Sequence, residues 1–275
     1  MDCGILDKKQ IPQLKNIWKQ CYPEDPEAYI DFFFEKGFPK SKGLAIFDKE
    51  VVIGVIYLFP CGIFPDIIPA YYFYAGGILP QYRGNGYYRL LIEYAVLYCR
   101  QQRREMFCYP SPGLQPFYEA MGFTEKYYYQ IKTYHRRLVD NEYDLQLQEV
   151  SVEELLKMRP LASPGSVIWG PDMMEYIYEE YRYDGGFCYK IVSQDAEEYY
   201  LFGKKEAGGL RITETSVPFQ LYDQLSNVLL RSYDMDTVTI QYPLTREMGG
   251  PETYFSCIGS CHYNNRSKWF ALTML

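Results

Sequence analysis

The spacing of apolar and polar positions changes several times along the chain, and each change marks an element. Residues 11–35 follow helical spacing, with Pro23 and Pro26 dividing the stretch into two pieces. Residues 43–48 and 51–59 are rich in β-branched and aromatic side chains around Asp48-Lys49-Glu50, which predicts a hairpin. Residues 70–79 read as a third strand ending at Pro80. From Tyr87 to Arg104 the period becomes helical, with Leu90, Leu91, Tyr94, Leu97 and Tyr98 as the expected inner stripe. Arg100, Arg103 and Arg104 suit the negative end of that helix. A short strand over 106–109, a helix over 114–121 closed by Gly122, and a tyrosine-laden strand over 124–134 follow.

The polar segment His135 to Asp144 predicts a boundary, dividing the chain into 1–140 and 141–275. The second part repeats the element order of the first. Residues 145–150 and 152–158 read as a strand and a helix, 187–193 and 198–203 as a strand pair, and 208–217 as a counterpart of 70–79. Leu221, Leu225, Val228 and Leu229 then form a helical stripe, followed by strands over 237–242 and 269–275. The class predicted is α+β, present twice. At residues 215–220 strand passes to helix without a glycine loop, so the second copy is degenerate.

The 275 residues suit two domains, and 48% hydrophobic against 23% charged content is ordinary for globular proteins. The 30 tyrosines fit strands that bury a ring and keep a hydroxyl wet. The net charge of −7 is uneven: 17 basic against 16 acidic residues over 1–143, and 11 against 19 over 144–275. Neither part carries the basic excess that nucleic acid requires, whereas the acidic second part would attract a cationic amine. The eight cysteines show no framework spacing and the N-terminus has no apolar leader, which predicts reduced thiols and a cytoplasmic protein. Cys257-x-x-x-Cys261-His262 has no second ligand pair, and His135 is the other histidine, so no metal is expected. Residues 51–80 hold one charge, Asp66, but Pro60, Pro65 and Pro69 interrupt them, and no membrane span is expected.

The most specific local pattern is Gln81-Tyr82-Arg83-Gly84-Asn85-Gly86, a Q-x-x-G-x-G loop opening a helix. Two glycines one residue apart let backbone N–H groups converge, and the helix turns its positive end to the same point: a pyrophosphate cradle. Taken alone it also reads as an ordinary turn. A Rossmann site is excluded, because the full G-x-G-x-x-G pattern and its acidic follower are absent.

With Phe117-Tyr118-Glu119-Ala120-Met121-Gly122-Phe123 downstream, the first part resembles the GNAT family of N-acetyltransferases. The loop matches the family's coenzyme A motif (Q/R)-x-x-G-x-(G/A), and the later stretch its F/L-Y-E-x-x-G-F signature. The resemblance covers residues 43–134 well, and the whole chain looks like a tandem arrangement with a degenerate second copy. It implies a mixed, mostly antiparallel sheet flanked by helices, and acetyl-CoA as co-substrate. Ile78 and Leu79 would pair with the pantetheine arm. The N–H groups of Tyr82, Arg83, Gly84, Asn85, Gly86, Tyr87 and Tyr88 would hold the pyrophosphate behind Gln81, with Arg83 adding a cation. Tyr88 replaces a small residue of the family pattern, and Ser111 replaces an asparagine that faces the cofactor. Tyr118 would protonate the departing thiolate, and a strand N–H would steady the oxyanion.

The general base is open between Asp66, Tyr72, Tyr74 and a water chain, because residues 70–79 contain no glutamate. The acceptor expected is a small cationic amine. Two other readings stay in view, a non-catalytic acyl-CoA sensor and a domain acting on a protein amine.

Overall fold

A computed structural model describes residues 1–63, 68–111, 113–123, 125–136, 145–162, 167–243 and 253–259. The chain divides into two compact units. The first is Met1–Lys126 with 257–264 and 273–275, and the second is Tyr127–Ser256 with 265–272.

In the first unit, β1 (Asp2–Ile5) lies antiparallel to β2 (Lys42–Asp48), with Cys3 opposite Ile46. Between them come α1 (Ile11–Cys21) and α2 (Glu27–Phe32). Asp7 and Gln10 form a capping box at the entry to this region, and Pro12 stands in the first turn of α1, where its missing N–H costs nothing. Trp18 is buried yet satisfied, because its indole N–H donates to Asp25 at 2.6 Å. Strand β3 (Val51–Ile63) returns beside β2 through Lys49, which takes φ 56, and pairs antiparallel with β4 (Ile68–Ile78). Helix α3 (Tyr87–Gln101) crosses over to β5 (Glu105–Cys108), which runs parallel to β4. Helix α4 (Gln115–Ala120) follows.

The inner face of α3 differs from the sequence expectation. Leu91, Ile92, Ala95 and Cys99 are buried, whereas Leu90 and Leu97 are 40% and 52% exposed. Small residues at 95 and 99 let the helix approach the sheet closely. The larger leucines advertise a hydrophobic stripe that the packing does not use.

Strand β6 (Glu125–His135), expected to close the first unit, pairs antiparallel with β12 (Thr237–Pro243) of the second unit. Tyr134 lies opposite Val238, and both enter the second unit's core. The division of the chain by contacts therefore precedes the polar segment, of which residues 137–144 lie outside the described residues.

The second unit repeats the layout. Strand β7 (Leu145–Glu149) pairs antiparallel with β9 (Gly186–Ser193), as β1 does with β2. Between them stand α5 (Val152–Ala162), the two-residue β8 (Val167–Ile168) and α6 (Pro171–Tyr183). Helix α6 was not expected, although Gly170-Pro171 and the buried Met173, Met174, Tyr176 and Ile177 carry a helical signature. Strand β10 (Glu198–Glu206) is antiparallel to β9 and β11 (Gly209–Thr215), and β11 is parallel to β12 across α7 (Tyr222–Tyr233). Leu225, Leu229 and Leu230 of α7 pack on Ile191, Leu201, Ile212 and Ile240. The class is α+β, as expected, with each unit a mixed sheet flanked by helices. Strand β13 (Thr253–Gly259) pairs through Ile258 with Cys108 of β5. The expected strand over 269–275 lies outside the described residues, as do Cys261 and His262. Among the described residues, no helix is long and apolar enough to cross a membrane.

Candidate active site

The site is built around an irregularity in β4. Val55 pairs with Gly77 and Tyr57 with Tyr74, so Ile56 alone faces Ala75 and Gly76. This β-bulge bends the strand, and Ala75 adopts φ 46 to make it. The pairing of β4 with β5 ends at Phe73 and Cys108, just before the bulge. Strand β5 itself ends at Cys108, so β4 runs on past the end of its neighbour. Tyr22, at the end of α1, donates its hydroxyl to the Gly76 carbonyl at 2.8 Å. The periodicity concealed the bulge; its one signal was the Gly76-Gly77 pair inside a strand.

The turn after β4 engages the backbone of Ile78 and Leu79 within the chain. Leu79 donates its N–H to the Ile53 carbonyl at 2.9 Å, and its own carbonyl accepts the Tyr82 N–H at 2.9 Å. Both polar groups of Leu79 thus have partners within the chain. Ile78 faces the opposite edge by strand alternation. Its carbonyl accepts from Arg83 Nε at 3.0 Å and from Cys21 Sγ at 3.4 Å. Arg83 Nη2 also donates to Cys21 Sγ at 3.6 Å, so its guanidinium bridges the end of β4 to α1.

The amides of Tyr82 and Arg83 are also spent, on Leu79 and Pro80. Of the expected loop amides, those from Gly84 onward lie outside these turn bonds. Gly84 and Gly86 sit at φ 80 and φ 78, in the left-handed region. A Cβ at either position would meet nothing within 4 Å, so open space lies against the loop. The Asn85 amide donates to the carbonyls of Tyr82 and Arg83 at 3.2 and 3.1 Å, which ties the loop to the preceding turn. Leu90 makes the first helical bond, to Gly86 at 3.1 Å, and the amides of Tyr87, Tyr88 and Arg89 precede that ladder. Arg89 is a position the sequence reading omitted. Exposed glycines, open space and a long helix's N-terminus together fit a pyrophosphate.

Tyr118 is 4% exposed on α4, held by Phe73, Phe117 and Phe123 with ring centroids 6.1, 5.4 and 5.6 Å away. Its hydroxyl lies 2.9 Å from that of Tyr88, in the first turn of α3. The expected acid and the expected cradle thus meet, thirty positions apart in sequence. Burial, then the neighbouring Tyr88, pushes the Tyr118 phenol above its ordinary range. Tyr88 is likewise raised by burial.

The other candidates disperse. Gln81 and Ser111 are exposed, and the Ser111 carbonyl accepts the Leu114 N–H at 3.0 Å. Tyr72 is buried, and the Tyr74 hydroxyl lies 2.7 Å from that of Tyr29. Asp66 lies outside the described residues. His135 is the exposed last residue of β6. Among the described residues, no three His, Cys, Asp or Glu side chains are grouped to hold a metal ion.

Residues 5–125 match the family model of the acetyltransferase (GNAT) domain. The fold is similar to that of a probable N-acyltransferase from Enterococcus faecalis, at 14% identity and a TM-score of 0.72, covering 94% of this chain and 71% of that one. It is also similar to a GCN5-related N-acetyltransferase from Anabaena variabilis, at 17% identity and a TM-score of 0.71, over 94% and 71%. A tandem GNAT protein from the clavulanic acid biosynthesis pathway matches over 94% of this chain and 97% of that one, at 14% identity and a TM-score of 0.55. No curated protein matches the sequence.

Proposed function

We propose, from the match of residues 5–125 to the acetyltransferase (GNAT) domain model, that this chain is an acetyl-CoA-dependent N-acetyltransferase acting on a small cationic amine. One observation carries the reading: the Tyr118 hydroxyl arrives 2.9 Å from that of Tyr88 in the glycine-loop helix, while its ring packs on Phe73, the last β4 residue paired with β5. A thioester held on the loop would bring its sulfur toward a buried phenol, and coenzyme A would supply a good leaving thiolate there. The chain's own part is to hold phosphates on the amides of Gly84 to Arg89, to keep water from Tyr118 with Phe73, Phe117 and Phe123, and to keep a proton on the Tyr118 oxygen.

The first test is calorimetric titration of the full chain with acetyl-CoA beside a Gly86→Trp control. The expected outcome is micromolar affinity in the wild type and loss in the control, since a side chain at φ 78 is strained and fills the cradle. No heat from either protein overturns the reading and leaves the loop as a turn.

The acidic balance of residues 144–275 supports the acceptor class. A panel of spermidine, benzylamine, glycinamide and glutamate as acceptors is expected to give the highest kcat/KM with spermidine. Its KM should rise with ionic strength as the attraction is screened. Equal turnover of the four amines, or a KM indifferent to salt, removes the cationic acceptor and leaves acetyl transfer standing.

A further inference from the structure

We propose that Tyr88 is a positioning residue for Tyr118, its hydroxyl donating to the Tyr118 oxygen so that the Tyr118 proton points toward the leaving sulfur. The assignment rests on the N-acetyltransferase reading of this site.

Three separate contacts hold Tyr88 in this place. Its hydroxyl lies 2.9 Å from that of Tyr118. Its ring stacks on Phe117, the residue before Tyr118, with centroids 5.6 Å apart and planes 26° apart, and Arg89 covers that same Phe117 ring at 5.9 Å. The third contact is with the bulge: a Cβ built on Gly76 would come within 2.7 Å of the Tyr88 hydroxyl and 2.6 Å of the Phe73 ring. Glycine at 76 is therefore what lets a phenol from α3 reach over β4 to the acid. A large residue at 88, where the family pattern has a small one, has a use here.

Two neutral hydroxyls carry two protons and need one between them, which leaves one free. If Tyr88 donates, the free proton is Tyr118's, and a hydroxyl that accepts a hydrogen bond is polarised into a better donor. A hydrogen bond donated to the Tyr118 oxygen also strengthens as negative charge grows there. In the reaction the amine lone pair forms the N–C bond at the thioester carbonyl. The C–S bond breaks with its electron pair on sulfur, and the Tyr118 proton moves to that sulfur. The nitrogen gives its proton to water, and Tyr118 regains one from solvent only after the thiol has left and opened the site.

The test is a cycle of Tyr88→Phe, Tyr118→Phe and the double variant in the full chain. Acetyl-CoA affinity is measured by calorimetry, and thiol release is followed with the fastest amine of the panel above. Tyr88→Phe keeps the ring and its stacking, so acetyl-CoA affinity and the amine KM should stay within about twofold while kcat falls about tenfold. The double variant should be no slower than Tyr118→Phe alone, because Tyr88 acts through that hydroxyl. Gly76→Ala retains both tyrosines but displaces the Tyr88 hydroxyl, and should reproduce the loss in kcat. An unchanged kcat in Tyr88→Phe overturns the proposal, as does a double variant a further tenfold slower. Tighter acetyl-CoA binding in Tyr88→Gly also overturns it, since Tyr88 would then be an obstruction. A wild type that neither binds acetyl-CoA nor releases thiol brings down the N-acetyltransferase reading itself, and this assignment with it.

Discussion

Tyr118→Phe is expected to lower kcat by about 10²- to 10⁴-fold, the usual range for removing a general acid, while acetyl-CoA affinity stays within about threefold. The ring fills the space between Phe73, Phe117 and Phe123, and phenylalanine keeps all three contacts. What disappears is one hydroxyl, in a place shielded from water where no solvent proton replaces it. The effect should fall on kcat, because the proton is needed when charge develops on sulfur and not when the thioester binds. The sign of the pH dependence follows from burial. A phenol raised above its ordinary value, about 10, stays protonated through the neutral and mildly alkaline range. Rates should therefore not decline between pH 7 and 9 through loss of the Tyr118 proton. Thiol release measured across that range checks both points. A Tyr118→Phe rate within threefold of wild type would make Tyr118 a packing residue and favour an acyl-CoA-binding role.

Arg159→Met should have the largest effect on stability, about 3–5 kcal/mol, the usual cost of orphaning a buried charge. Arg159 and Glu214 are 4% and 2% exposed and meet side by side, Nε to Oε1 at 2.8 Å and Nη2 to Oε2 at 3.2 Å. The Tyr200 hydroxyl donates to Glu214 at 2.8 Å, and Arg159 Nη1 donates to the Val167 carbonyl. Glu214 stands where β11 bulges: Gly203 faces Ile212 and Phe202 faces Glu214, which leaves Thr213 extra. The second unit thus keeps an irregular central strand, as the first does at Ala75-Gly76, but fills its surroundings with an ion pair. Adding Glu214→Leu to Arg159→Met should recover at least half of the loss, because an apolar pair of similar volume removes the uncompensated charge. Urea unfolding of the wild type and both variants measures this. A loss below about 1 kcal/mol in Arg159→Met would mean that water reaches the pair.

Much of the site was legible because its signals are local. The Gly84-Asn85-Gly86 loop announces itself by residue type, since left-handed backbone at 84 and 86 selects glycine whatever surrounds it. The Phe117–Phe123 stretch reads as a short helix closed at Gly122, which takes φ 90. The repeated order of strands and helices was visible for the same reason, apart from α6. That helix carries its own start signal in Gly170-Pro171.

Other features were not legible, because they depend on partners far away in sequence. The direction in which α3 turns its apolar side follows from how near Ala95 and Cys99 can come to the sheet, and Leu90 and Leu97 mislead any reading of periodicity alone. The withdrawal of Leu79 and of the Tyr82 and Arg83 amides follows from hydrogen bonds to Ile53, Leu79 and Pro80, which no motif states. The partner of β6 is a strand a hundred residues later.

By itself, then, the sequence determined most of the elements, that they form twice in the same order, and that the first copy alone carries a glycine loop. Backbone conformation, capping and hydrophobic period are properties of neighbouring residues. The tertiary structure alone decided that Tyr88 meets Tyr118 over Gly76, that the β4–β5 pairing stops at Phe73, and which loop amides the turn engages. Those are distances between elements, and packing sets them.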